Sequence, residues 1–301
     1  MPRRPRRRAA RPRRPSRRAV RRHRRRGPRP RTGGRREAAR VARDTAAAAP
    51  AGPPAAAATP GGPRALRLGD VRPECRGLAR AAVRLDAPAV EDLLAGALAE
   101  LGLIAAWEEV IAPTLHAVGR KWASAGERYV EVEHLLSWYV SSALHRMRPA
   151  TRPLPAPPVL LACAPGEEHT LPMEALTAAL GERALPVRMF GAALPPDALR
   201  EAVRRTGPRA VVLWAQSRTT ADASLARSVA GIEWGPRGAR GRSALLLAGP
   251  GWGAGSPAGP PHPRTERLFG LRSGLAVIEA VAAGRPPATA AGRAEPGACG
   301  S

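Results

Sequence analysis

Val159-Leu160-Leu161-Ala162-Cys163-Ala164-Pro165-Gly166-Glu167-Glu168-His169-Thr170-Leu171-Pro172 is the stretch on which the reading of this chain turns. Its first five residues form an unbroken apolar run, the length of a strand buried on both faces. Pro165 and Gly166 interrupt it, and a helical pattern follows from Pro172. A strand leading into a helix opens an α/β unit. The loop between them lies at the carboxyl edge of the sheet, where such sheets bind ligands. His169 sits on that loop. Glu167, two residues before it, can accept a hydrogen bond from one ring nitrogen, which leaves the other as a fixed, basic metal ligand. The plainer alternative is a polar surface loop that happens to hold a histidine.

Downstream, strands and helices alternate. Strands are predicted at Pro186–Phe190, Ala210–Trp214 and Ala244–Ala248, with a weaker one near Arg267–Leu271. Helices are predicted at Pro172–Arg183, Pro196–Arg205, Ala221–Ala230 and Ser273–Ala283. This order predicts a parallel sheet covered by helices on both faces, a Rossmann-like (flavodoxin-like) domain over residues 157–286.

Upstream, the period changes to that of helices. Gly77–Leu85 is a first helix, and Asp86 can cap a second, with Pro88 in its first turn and Gly102 at its end. Ile104, Trp107, Ile111, Leu115, Val118 and Trp122 recur at steps of three and four, an amphipathic stripe that Pro113 should kink. Val132, Leu135, Trp138 (or Tyr139) and Ala143 mark a fourth helix. Together they predict a four-helix bundle over residues 75–148. A proline-rich linker at Pro149–Pro158 separates bundle from sheet.

The ends have a different composition. The chain has 301 residues and a formal charge of +25, and its first forty residues hold twenty Arg against one acid, Glu37. Residues 1–64 therefore read as a disordered Arg/Pro/Ala-rich region and linker, with a short helix at Arg35–Ala49, and residues 287–301 as a low-complexity tail. Three distant cysteines fit neither a disulfide framework nor a zinc site and suggest a reduced, cytoplasmic setting. No segment is long and apolar enough to span a bilayer.

Further candidates lie in both regions. Trp122 and the pair Glu133-His134 fall on consecutive helices, which pack antiparallel. They read either as a polar and aromatic cap over a ligand or as a core tryptophan with a surface carboxylate and histidine. Ser217 closes the third strand, as a ligand contact or as a strand-end hydroxyl. Gly249 and Gly251 close the fourth, where they let a ligand lie against the backbone or simply form a turn.

Arg120-Lys121-Trp122 followed by Val130-Glu131-Val132-Glu133-His134 resembles the Trp…Glu-His signature in the helical cap of cobalamin-binding, MerR-type photoreceptor regulators. The Glu167–His169 loop resembles the cobalt-ligating loop of cobalamin-binding domains. The likeness covers roughly residues 75–285, with the bundle before the α/β domain as in that family. It implies His169 as the lower axial ligand of cobalt, Glu167 as its partner, and Trp122, Glu133 and His134 around a 5′-deoxyadenosyl group. It also implies Ser217, Gly249 and Gly251 near the nucleotide tail. The chain departs from the family in three places. The Trp122–Glu133 gap is one residue longer, Pro172 replaces a glycine, and Ala123 stands where some light-responsive relatives carry a second histidine.

On this likeness the chain is a sensory module of a transcriptional regulator, not an enzyme. It would bind adenosylcobalamin, respond to light, and form a homo-oligomer. The alternative is a corrinoid protein of a methyltransferase system, which shares both domains. DNA is the second expected partner. It would be reached through the basic N-terminus or a winged helix-turn-helix that is absent or degraded here, since residues 1–34 lack its apolar core and Arg36–Arg43 alone resembles its last helix.

Overall fold

The computed structural model describes residues 72–125, 129–147, 155–236, 240–253 and 265–285, the side chains of 122–125 excepted. The basic start, the helix expected at Arg35–Ala49 and the C-terminal tail lie outside these residues.

The bundle begins with α1, Pro73–Val83, four residues earlier than the apolar pattern indicated. Pro73 occupies the first turn, where its missing N–H costs nothing and its fixed φ already suits a helix. Asp86 caps α2, Ala87–Ala106, through its Oδ1, which accepts from the Ala89 amide at 3.3 Å. Gly102 leaves helical geometry at φ 73 and ψ 164, but helical bonding resumes on its far side, so it breaks α2 without ending it. A π-helical turn, Trp107–Ile111, then leads into α3, Ala112–Ala125. The kink expected at Pro113 takes this form. Proline cannot donate to the carbonyl a turn before it, and the wider π turn absorbs the lost bond. Buried Thr114 satisfies its hydroxyl on the Val110 carbonyl at 2.7 Å and lies 3.1 Å from Cys75 Sγ.

Helix α4, Val130–Arg146, turns Val132, Leu136, Val140, Ala143 and Leu144 inward. Trp138, expected on that stripe, is 70% exposed. The steps of four from residue 132 to 140 hold one face, whereas steps of three to 135 and 138 drift round the helix toward solvent.

The sheet runs in the order β2-β1-β3-β6-β7, from β1 (Val159–Cys163), β2 (Val187–Met189), β3 (Ala210–Trp214), β6 (Ala244–Ala248) and β7 (Thr265–Leu268), all parallel. Helices α5 (Leu171–Glu182), α6 (Pro196–Thr206) and α7 (Ala223–Ala230) lie in the crossovers, and α8 (Leu271–Ala282) follows β7. A small antiparallel hairpin that the apolar pattern did not reveal, β4 (Glu233–Trp234) with β5 (Gly241–Arg242), precedes β6. The chain steps from β1 outward to β2 and then back across to β3, so the order reverses between β1 and β3. A crevice opens there at the carboxyl ends of the strands.

Burial divides the strand residues cleanly. Leu160, Ala162, Val211, Leu213, Leu245 and Leu247 pack with α6 and α7 on one face. Leu161, Cys163, Val212 and Leu246 belong to a second apolar cluster, which continues through Met173 and Leu176 of α5 into Leu136 and Val140 of the bundle. Bundle and sheet therefore share one core, and α4 lies beside α5 at the reversal point.

Candidate functional site

Strand β1 ends at Cys163, and a turn through Pro165 and Gly166 (φ 75) delivers Glu167 to the crevice. Glu167 is buried to 1% exposure, and both of its oxygens are occupied. Oε1 accepts from His169 twice, from the backbone amide at 3.0 Å and from Nδ1 at 2.5 Å. Oε2 accepts from the Gln216 amide at 2.7 Å and from Thr220 Oγ1 at 2.7 Å. An acid with one carboxylate oxygen on the β1 loop and the other on the β3 loop spans the sheet reversal.

The electrostatics follow from these bonds. Burial opposes ionisation of Glu167. The bonds from the His169 ring, the Thr220 hydroxyl and the two backbone amides outweigh it and hold the pKa below the ordinary carboxylate range. The hydrogen bond to Glu167 raises the His169 pKa against the effect of burial. The Glu167 charge, and that of Glu133 on α4, add to the rise. Cys163, buried beneath the loop, donates to the His169 carbonyl at 3.7 Å. Burial, with the nearby carboxylates, pushes its thiol up to about 12, so it stays protonated.

His169 has its Nδ1 engaged and 46% of its side chain exposed, and Nε2 has no partner among the described residues. A pinned imidazole with one free, outward nitrogen can place a lone pair at a fixed point. No group of three or more His, Cys, Asp or Glu that could enclose a metal exists among the described residues. The donor set therefore suits a metal that arrives with most of its coordination supplied, as cobalt does in a corrin, and accepts one imidazole.

The other expected residues fall as follows. Ser217 is buried, with its hydroxyl 2.6 Å from Thr219 Oγ1 and 3.3 Å from Thr220 Oγ1, so it joins Glu167 through Thr220. Gly249 and Gly251 do permit a close approach, and the chain's own backbone fills it. A Cβ on Gly249 would lie 2.3 Å from the Ala215 carbonyl oxygen, and one on Gly251 2.2 Å from that of Ser217. Glu133 is half-buried and His134 exposed on α4. The backbone of Trp122 continues α3, but its side chain lies outside the described residues. Pro172 takes up the first turn of α5. Sequence reasoning missed Thr220 and the Gln216 amide. The run of hydroxyls after Ser217 was the one available signal.

Residues 74–147 match the model of the B12 binding domain. The matched bundle stands directly before the α/β domain that carries His169. The chain is also 38% identical over 131 residues to the HTH-type transcriptional repressor CarH of Myxococcus xanthus, a match covering 41% of each protein. The chain thus spans about two-fifths of the length of this curated relative. Among solved structures, it resembles the monomethylamine corrinoid protein of Methanosarcina barkeri, at 13% identity and TM-score 0.47, over 67% of this chain and 94% of that one. It also resembles a cobalamin-binding protein of Desulfitobacterium hafniense, at 15% identity and TM-score 0.34, over 68% and 96%.

Proposed function

We propose that the chain is the adenosylcobalamin-binding sensory module of a transcriptional regulator, that light is its signal, and that it acts without catalysing a reaction. The observation that carries the reading is the buried Glu167 holding His169 Nδ1 at 2.5 Å, which leaves Nε2 without a partner among the described residues, next to a bundle that matches the B12 binding domain. The likeness to a repressor supports the regulatory half.

In this reading Glu167 sets the tautomer and direction of His169, whose Nε2 would hold the cobalt. Glu133 and His134 on α4 would lie on the bundle side of the bound ring. Bound adenosylcobalamin supplies a cobalt–carbon bond that light cleaves. The protein's part is to grip both faces of the ring, so that a change at the upper ligand is felt by α4. DNA is the second partner, and a homo-oligomer is the assembly that binds it.

The test is a dark titration of the full chain with adenosylcobalamin, followed by absorption spectroscopy before and after illumination. The expected result is a bound spectrum that changes in His169→Ala and on exposure to light. An unchanged spectrum in His169→Ala would remove the axial role. Methyl transfer to a partner enzyme, without any response to light, would favour the corrinoid methyltransferase reading.

A further inference from the structure

Glu174 ties the two domains together next to the imidazole. It lies in the first turn of α5, five residues beyond His169, and its side chain is 12% exposed. One oxygen, Oε1, accepts from Thr170 Oγ1 at 2.7 Å, and Thr170 is the residue that follows His169. The other, Oε2, accepts from Ser141 Oγ on α4 at 2.5 Å. Thr170 sits at the N-cap of α5, yet its hydroxyl makes no capping bond and turns to Glu174 instead. Ser141 lies two helical turns beyond Glu133 on α4, 3.4 Å from His145 Nδ1.

From this geometry we infer that Glu174 is a positioning residue. It couples the place of bundle helix α4 to the seat of His169, so that the axial imidazole and the cap move as one unit. The inference rests on the cobalamin reading above. A carboxylate bridging a hydroxyl on each side is a two-ended constraint, and charge-assisted bonds of this kind are stronger than neutral ones. His145 Nδ1, also on α4, lies 4.0 Å from the same Glu174 oxygen, so a shift of α4 that withdraws Ser141 and His145 together strips a mostly buried carboxylate oxygen of its bundle partners unless Glu174 and Thr170 move with the helix. A second tie holds another part of the bundle. Glu108 Oε1 in the π turn accepts from the Arg272 amide at the start of α8 at 2.9 Å. Loss of Glu174 therefore frees α4 near the site while the domains stay joined.

The test uses the full chain in three variants, Glu174→Ala, Glu174→Gln and Ser141→Ala. Amide hydrogen exchange is measured without cobalamin, and adenosylcobalamin affinity and spectrum are measured in the dark. In Glu174→Ala, exchange over residues 137–145 should rise at least tenfold (order of magnitude from the loss of one bridging charge-assisted bond), with β1, β3 and β6 unchanged. Affinity should fall by a similar factor, and the His169-bound spectrum should weaken. Glu174→Gln, which keeps the shape and one acceptor, should recover most of both. Ser141→Ala should loosen α4 alone, and it carries the test if Glu174→Ala does not fold. Exchange on α4 within twofold of wild type in both Glu174→Ala and Ser141→Ala overturns the tie. Loosened α4 with an unaltered His169-bound spectrum overturns the coupling to the imidazole. A wild-type chain that binds no adenosylcobalamin overturns the cobalamin reading, while the exchange result still decides whether Glu174 joins the domains.

Discussion

Thr220 Oγ1 donates to Glu167 Oε2 at 2.7 Å, so the carboxylate that aims His169 is itself aimed from the loop after β3. The chain of contacts runs from Ser217 through Thr220 and Glu167 to His169. The Thr220–Glu167 link crosses from the β3 loop to the β1 loop, and removing any link in the series should be felt at the imidazole.

Glu167→Gln keeps an acceptor but loses the charge. On the proposed reading, adenosylcobalamin affinity should fall about 10–100-fold, the usual cost of losing the partner of a metal-binding histidine. Glu167→Ala should also cost the ligand-free protein about 2–3 kcal/mol, because it strands the buried Gln216 amide and the Thr220 hydroxyl. Thr220→Val should cost about 1 kcal/mol and weaken binding less than Glu167→Gln does. Isothermal titration and urea denaturation check these values. A Thr220→Val protein that binds worse than Glu167→Gln contradicts the proposed order of support.

The Glu167–His169 pair makes stability depend on pH in a defined window. The folded pKa of Glu167 is lowered, so its contribution is present above the unfolded value of about 4.3 and is lost as pH falls through the folded one. The folded pKa of His169 is raised, so its contribution is complete below about 6.5 and is lost as pH rises through the folded value. The stability gap between wild type and His169→Ala, measured by denaturation of the ligand-free chain, should be widest between about pH 4.5 and 6.5. A gap that stays flat from pH 4 to 9, a range spanning roughly the two reference values, would show that the pair is not coupled in solution.

Gly251 and Gly96 should respond to alanine in opposite ways. A Cβ on Gly251 meets backbone oxygen at 2.2 Å, which no side-chain rotation relieves, so Gly251→Ala should cost about 3 kcal/mol. Gly96 lies inside α2 with nothing within 4 Å of its Cβ position, so Gly96→Ala should gain about 0.5–1 kcal/mol. Thermal melts of the two variants should move in opposite directions from wild type.

Trp138 and Leu136 test the phase of α4. Trp138 is 70% exposed and Leu136 is fully buried. Trp138→Ser should change stability by no more than about 0.5 kcal/mol, whereas Leu136→Ala should cost about 2–5 kcal/mol. Equal losses would place Trp138 back on the core stripe.

Much of this architecture is local in origin and was therefore legible in the residues themselves. The runs Val159–Cys163, Ala210–Trp214 and Ala244–Ala248 became strands with those bounds, because a five-residue apolar run has few other ways to bury both faces. Asp86 caps α2 because a short acid before a helical pattern satisfies amides only a few bonds away. The Glu167–His169 spacing carried its own hydrogen bond for the same reason. What lay beyond reach depends on residues distant in the chain. Thr220 on Glu167, Ser141 on Glu174 and the backbone packed against Gly251 are contacts made only when the sheet reverses and the bundle docks. The inward face of α4 was a tertiary choice too. Leu135, Leu136, Trp138 and Tyr139 offer apolar surface on several sides of one helix, and the shape of the neighbouring core selected which of them it buried.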